Sequence, residues 1–275
     1  MIFVLSAILT RILSNSYLNV FQKILTNSGN KPSVVNFYTY LGLSVLCLTL
    51  IPLFNLTLSS ELIINFLIMG LLGALGNYYI IKALSLGELS SLAPINSYKP
   101  IVALIIAFFY LKEIPSVIAV LGILLIIFGT YILFESGEKY NKSAVFYRVL
   151  ALIFSGTEAV FIKKIIILTN IPTSFALWAI SGLFFSMLFV FLSKHKINLP
   201  PLKYQGLLIL SVAIMQYSTN YVFSKINVSY ALALFQLSTL LSVFLGVNLF
   251  QEKDLKRKLV ASFIMLVGAC TIILS

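Results

Sequence analysis

The stretch Asn77–Glu113, NYYIIKALSLGELSSLAPINSYKPIVALIIAFFYLKE, decides how the chain is read. It is hydrocarbon-like through its second half except for a polar knot, Asn96, Ser97, Tyr98 and Lys99, bracketed by Pro94 and Pro100. An ammonium at the centre of a membrane helix costs about 2.5 to 3.5 kcal/mol even on lenient insertion scales, so such a group faces a bundle interior or a wet cavity and marks function. Prolines remove helical hydrogen bonds, and the freed carbonyls are tolerated at membrane depth only where protein or a water-lined cavity receives them. Lys99 between two prolines therefore reads as part of a binding site inside a membrane domain.

The rest of the chain agrees with that reading. Of 275 residues, 60% are hydrophobic and 10% charged, with a mean hydropathy of +1.05, far more apolar surface than a water-soluble core uses. A helix crosses a bilayer in about 20 apolar residues. Such windows follow one another at 2–22, 34–54, 62–84, 92–111, 115–134, 144–163, 172–192, 204–223, 231–250 and 258–274. They predict an all-α, multi-pass integral membrane protein with ten transmembrane helices, at home in a bacterial-type cytoplasmic (plasma) membrane. The formal charge of +11 sits mostly in short connections, where basic residues set topology, so no nucleic-acid partner is expected. Cys47 and Cys270 lie in apolar segments and read as small hydrophobes, not as a disulfide framework. The opening MIFVLSAILT has no basic leader, is interrupted by Arg11 and lacks a small-residue cleavage site, which predicts a first spanning helix and not a signal peptide.

The one linker-like connection, ESGEKYNKS (Glu135–Ser143), falls near the midpoint and invites a search for duplication. An offset of 140 pairs Val20 with Val160, Phe21 with Phe161, Lys23 with Lys163, Pro32 with Pro172 and Gly42 with Gly182, and sets Tyr38 against Trp178. At 143, Asn77, Tyr78 and Lys82 meet Asn220, Tyr221 and Lys225; at 139, Glu113 meets Glu252 and Gly129 meets Gly268. Colinear matches in all five paired helices predict repeats at 1–134 and 144–275. Five is odd, so the second copy enters the membrane from the opposite face. Inverted repeats give many secondary transporters two similar conformations around a midplane site.

The span LSSLAPINSYKPIVALIIAFFYLKE (Leu89–Glu113) leads into VLGILLIIFGTYIL (Val120–Leu133), and YALALFQLSTLLSVFLGVNLFQE (Tyr230–Glu252) into MLVGACTIIL (Met265–Leu274). With NVFQK (Asn19–Lys23) and VFIKK (Val160–Lys164) ending the first and sixth helices, this layout resembles the EamA-like branch of the drug/metabolite transporter superfamily over essentially the whole chain. The resemblance implies a ten-helix carrier of small solutes. The small four-helix multidrug members, similar in layout, depend on a Glu in their first helix; here that helix carries Arg11 and no acid, which puts proton-coupled export of lipophilic cations in doubt.

Ionisable residues inside the spans are few: Arg11, Lys99 and Glu158. Lys99 either pairs with Glu158 and pins two helices, or grips a substrate carboxylate or phosphate. Glu158 is the sole acid within the spans and hence the candidate for a coupling proton. Lys82 and Lys225 near helix ends read as snorkelling side chains. Around the charges lie Asn96, Tyr98, Asn15, Tyr78, Tyr217, Asn220 and Gln236, the candidate substrate-binding set with Lys99, Glu158 and Arg11. Hydroxyls and amides in membrane helices commonly serve packing alone; what singles these out is the gathering of polar residues in helices one, three, four, six, eight and nine while five and ten stay almost purely apolar. Trp178 and Tyr38 are gate aromatics or interface anchors, and the glycines Gly122, Gly129 and Gly268 mark either internal packing or a homodimer face.

Two interior cations against one anion favour an anionic or zwitterionic solute. The expected function is thus secondary transport of a small carboxylated or amino-acid-like metabolite within the bilayer, without a cofactor or metal. A flippase for a lipid-linked or amphipathic substrate and a non-transporting membrane assembly subunit are the alternatives. Enzymatic activity is not expected: HExxH, GxSxG and Cys/His metal spacings are missing, and His195 and Asp254 lie in connections. Thirteen basic residues counted in odd-numbered connections (Lys23, Lys31, Lys82, Lys139, Lys142, Arg148, Lys194, Lys196, Lys203, Lys253, Lys256, Arg257 and Lys258) against four in even ones (Lys112, Lys163, Lys164 and Lys225) place both termini outside, whereas the resemblance implies cytoplasmic termini.

Overall fold

Pro94 and Pro100 do break the fourth hydrophobic segment, and the break sets the architecture. A computed structural model describes residues 2–111, 117–134, 141–193 and 198–273. Twelve α-helices are described, α1 (Ile2–Asn27), α2 (Pro32–Cys47), α3 (Ser60–Leu86), α4 (Leu89–Leu92), α5 (Lys99–Leu111), α6 (Val117–Phe134), α7 (Lys142–Leu168), α8 (Ile171–Ser193), α9 (Leu202–Phe223), α10 (Val228–Leu234), α11 (Leu237–Phe250) and α12 (Leu255–Ile273). No strand occurs among the described residues. The short α4, a 3-10 turn over Pro94–Tyr98 and α5 together make one interrupted segment, and α10 with α11 make a second, so the twelve helices form ten segments. Seven stretches among the described residues are long and apolar enough to cross a membrane.

Local chemistry fixes the helix ends. Ser59 caps α3 by accepting from the Leu62 amide at 3.1 Å, Pro32 occupies the first turn of α2, and Asn141 caps α7 while donating to the Leu86 carbonyl at 3.1 Å. Each device satisfies backbone groups that a helix terminus leaves unpaired.

The second interruption was not expected, because the window 231–250 contains no proline and reads as one continuous span. Side chains disrupt it instead. Gln236 donates to the Leu232 carbonyl at 2.7 Å and Ser238 to the Phe235 carbonyl at 2.7 Å, offering the backbone local partners that compete with the helical ladder.

Packing is reciprocal between the halves. The first helix of each half lies against the third of the other, α1 on α9 and α7 on α3. The interrupted segments follow the same rule, α11 against α1 and α5 against α7, while α2 pairs with α8 and α6 with α12. Exchanging the halves leaves this scheme unchanged, as an approximate two-fold relation requires. Single contacts repeat as well: Lys23 donates to the Gly87 carbonyl at 3.0 Å, and Lys163 donates to the carbonyl of Ile226 at 3.2 Å, its counterpart one half later.

The connections alternate between two faces. Lys23, Gly87, Glu88, Leu89, Glu252 and Lys258 gather where the odd-numbered connections lie. At the opposite face Lys164 pairs with Glu61 at 2.7 Å and Asn170 donates to the Leu53 carbonyl at 3.0 Å. Eight of the cations counted above as odd-connection charges, Lys23, Lys82, Lys142, Arg148, Lys203, Lys256, Arg257 and Lys258, belong to helices, and Lys258 is completely buried. The positive bias of that face is therefore smaller than the sequence count and keeps its sign.

Gly122, Gly129 and Gly268 serve the contact between α6 and α12. A Cβ at Gly268 would stand 2.6 Å from the Gly122 carbonyl oxygen, and one at Gly129 would stand 2.9 Å from the Ala261 carbonyl oxygen. These glycines let two apolar helices touch along their backbones inside one chain.

Candidate functional site

The polar residues converge on a cavity of about 110 Å³ between the halves. A single water needs roughly 10 to 15 Å³ on this measure, so the space holds several waters or a small solute. Its wall comes from α1, α2, α3, α7, α8 and α9 and from both interrupted segments, and includes Arg11, Asn15, Asn96, Lys99 and Glu158. Five of the ten residues expected from sequence thus share one cavity.

Each charged group is held in a definite way. Arg11, 4% exposed, donates to the Phe235 carbonyl and the Ser238 hydroxyl at 3.4 Å each, with its guanidinium 4.3 Å above the Phe235 ring. Arg148, also 4% exposed, donates its Nε to the Leu92 carbonyl at 3.0 Å. The two arginines do the same task on opposite halves: each comes from the first helix of one half and donates to a carbonyl at the interruption of the other. Arg148 was read from sequence as a connection charge, because it stands only six residues after the start of α7.

Glu158 is gripped by Trp178, whose indole N–H donates to its Oε1 at 2.5 Å. Trp178 is buried and packs against Tyr40 with ring centroids 5.1 Å apart, a placement inside the bundle and not at a lipid interface. Gly73 makes room for the carboxylate, since a Cβ there would overlap Glu158 and approach the Trp178 nitrogen to 3.2 Å. Lys99 makes no hydrogen bond or contact ion pair with any described residue, so the direct Lys99–Glu158 bridge weighed from sequence is not formed. The two line the same cavity without touching.

Asn15 and Asn96 stay in the wall, while Tyr78, Tyr98, Tyr217, Asn220 and Gln236 fall outside it. Asn15 donates to the Ser238 hydroxyl at 3.0 Å and still lines the cavity. Asn220 sits one layer behind, fully buried, accepting from Gln216, a wall residue, at 2.9 Å. Gln236 holds the α10–α11 interruption. Tyr78 meets Tyr79 edge-on and Phe189 at a tilt, Tyr98 borders an apolar groove between α5 and α7, and Tyr217 is 38% exposed on an outer surface near Phe175. Lys82 lies 4.1 Å over the Tyr147 ring.

An amide chain supports the wall: Gln22 donates to Asn77 at 3.1 Å and Asn77 to Asn36 at 2.5 Å, joining α1, α3 and α2. The buried Asn19 Oδ1 and Arg11 Nε have no partner among the described residues. Buried polar atoms are nearly always paired, so orphans beside the cavity mark a place for water or ligand.

The odd-connection face carries a second charge cluster. The Glu252 carboxylate accepts from Lys23 at 2.7 Å and from the Leu89 and Ser90 amides at 2.8 and 2.7 Å. Lys258 bridges Glu88 at 2.6 Å and the Ser90 hydroxyl at 2.9 Å. Burial alone would push the Glu252 carboxyl up, but the Lys23 charge and the bonds from Lys23 and Ser90 outweigh it and hold the group below the ordinary glutamate value.

The sequence profile of the EamA-like transporter family matches residues 2–135 and 142–274, one copy in each half. No curated protein matches the chain. A solved crystal structure, described only as that of a protein, superimposes with a TM-score of 0.70 over 98% of this chain and 96% of its own at 13% identity, a likeness of fold alone.

Proposed function

Since the chain belongs to the EamA-like transporter family, we propose that it carries a small carboxylated or zwitterionic metabolite across the membrane by exposing one midplane cavity alternately to either face. The observation that carries the reading is the cavity itself, whose wall is drawn from both halves and holds Lys99 and Glu158 apart and unbridged. A cation and an anion left unpaired in a wet hollow are suited to the two ends of a zwitterion or to a carboxylate and a coupling proton. The reciprocal packing of the halves supplies the two related arrangements that alternation needs. On this reading the contacts of Glu252 with Lys23 and with the Leu89 and Ser90 amides close the odd-connection face in one arrangement and part in the other.

The test is flux in proteoliposomes. Lys99→Ala and Glu158→Gln should insert normally and abolish transport; unchanged transport by both would remove the assignment.

A second reading, flipping of an amphipathic molecule, is favoured by one feature. An apolar groove of about 290 Å³ between α5 and α7, lined by Ile95, Tyr98, Val102, Val149 and Leu152, runs beside the wall residues Lys99, Arg148 and Ala151. A tail in the groove and a polar head in the cavity would fit together. Transport of only acyl-bearing forms of a solute would select this reading.

A further inference from the structure

The charges on the cavity wall do not balance. Among its lining residues the ionisable groups are Arg11, Lys99, Arg148 and Glu158, together with the phenol Tyr40. Three bases and one acid leave a formal surplus of two positive charges. The surplus is insensitive to where a proton rests, since passing one from Lys99 to Glu158 neutralises both and leaves the sum unaltered, and a guanidinium does not deprotonate in proteins.

We propose that the cavity is a site for a small dianion, a solute carrying two carboxylates or one phosphate group, with Arg148 and Lys99 as its principal grips. The proposal rests on the transport reading for its physiological meaning and on the wall alone for its chemistry. Arg148 is suited to the role by what it leaves unused. A guanidinium has five N–H donors in a planar fork; here Nε is committed to the Leu92 carbonyl, which fixes the plane, and the two amino groups have no partner among the described residues. A fork so held matches the paired oxygens of a carboxylate or phosphate. Lys99, likewise without a bonded partner, adds a point charge from α5, across the α5–α7 contact. Glu158 does not compete for the cations, because it is turned to Trp178 at 2.5 Å. Arg11 is held at the α10–α11 interruption by Phe235 and Ser238 and contributes mainly its field. A zwitterion would leave the surplus in place. A dianion cancels it.

A matched series tests this with the full-length protein in detergent. Butyrate, 4-aminobutyrate and succinate share a four-carbon chain and differ in charge, and glycerol phosphate supplies the phosphate form. A ligand that binds only the folded state raises its apparent stability. The expected result is that succinate or glycerol phosphate raises the unfolding temperature at concentrations where butyrate and 4-aminobutyrate do not, and which of the two does so identifies carboxylate or phosphate. Arg148→Gln should weaken the dianion on the order of tenfold, the loss of a bidentate charged contact, and Arg148→Lys, which keeps charge without the fork, should fall between. Stabilisation by 4-aminobutyrate above both dianions, by neither dianion, or equally in wild type and Arg148→Gln would overturn the proposal. Stabilisation by a dianion that proteoliposomes do not transport would keep the dianion site and remove the transport reading, so the two failures are distinct.

Discussion

Lys23 and Glu252, 229 residues apart in sequence, meet at 2.7 Å beneath the odd-connection face. The pair joins the end of the first helix in one half to the end of the fourth segment in the other. Both side chains are under a tenth exposed, and the carboxylate also receives two backbone amides from the start of α4. A buried charge that loses its partner is left uncompensated in a medium that solvates it poorly.

Removing one partner should therefore cost more than removing both. Glu252→Ala is expected to destabilise the folded protein by about 3 to 5 kcal/mol. Lys23→Met with Glu252→Leu should recover a large part of that loss, as read from thermal unfolding in detergent.

Acid should act through the same residue. Glu252 is held below its unfolded value, near 4.3 for a free glutamate, so its contribution is complete above about pH 5 and is lost as pH falls through the depressed folded value. The unfolding temperature of the wild type should drop on that acid limb. Glu252→Gln should start lower and show a shallower drop.

Trp178→Phe isolates the grip on Glu158. The ring contact with Tyr40 survives the substitution while the indole N–H is lost. A hydrogen bond to a charged group is worth about 1.5 to 3 kcal/mol, so flux should fall on the order of tenfold to a hundredfold with the protein still folded, measured as initial uptake in proteoliposomes.

Gly73→Ala asks whether the carboxylate needs its present seat. The added Cβ would stand in the place of the Glu158 carboxylate and 3.2 Å from the Trp178 nitrogen. The expected cost is about 1 to 3 kcal/mol, typical of overpacking, with flux reduced like that of Trp178→Phe. The same variant with wild-type flux would show that the Glu158 position is not critical.

Much of this was legible in the sequence, for definable reasons. Lys99, Glu158 and Arg11 announce themselves because a charge among apolar residues is costly in lipid, and the repeat shows in matched pairs such as Lys23 and Lys163. Arg148 was passed over because near a helix start a cavity residue and a topology-setting residue look alike. Trp178 was weighed as a gate or an anchor, since nothing in one dimension says that its N–H meets an acid twenty residues back. The α10–α11 interruption carries no proline, only Gln236 and Ser238, whose bonds to nearby carbonyls become visible in three dimensions. Tyr78, Tyr98 and Tyr217 were grouped with the cavity by residue type, but helical periodicity turns them to other faces.

Alternation around a shared midplane cavity is the central claim, and access to that cavity tests it. With Cys47 and Cys270 replaced by serine, a single cysteine at Asn96, a wall residue, can be probed with a membrane-impermeant thiol reagent applied to either face of sealed proteoliposomes. The account predicts labelling that is faster from the even-connection face in the otherwise wild-type protein, and a faster reaction from the odd-connection face once Glu252→Ala releases the cluster there. A cysteine that reacts from neither face, or at rates that Glu252→Ala leaves unchanged, would contradict it.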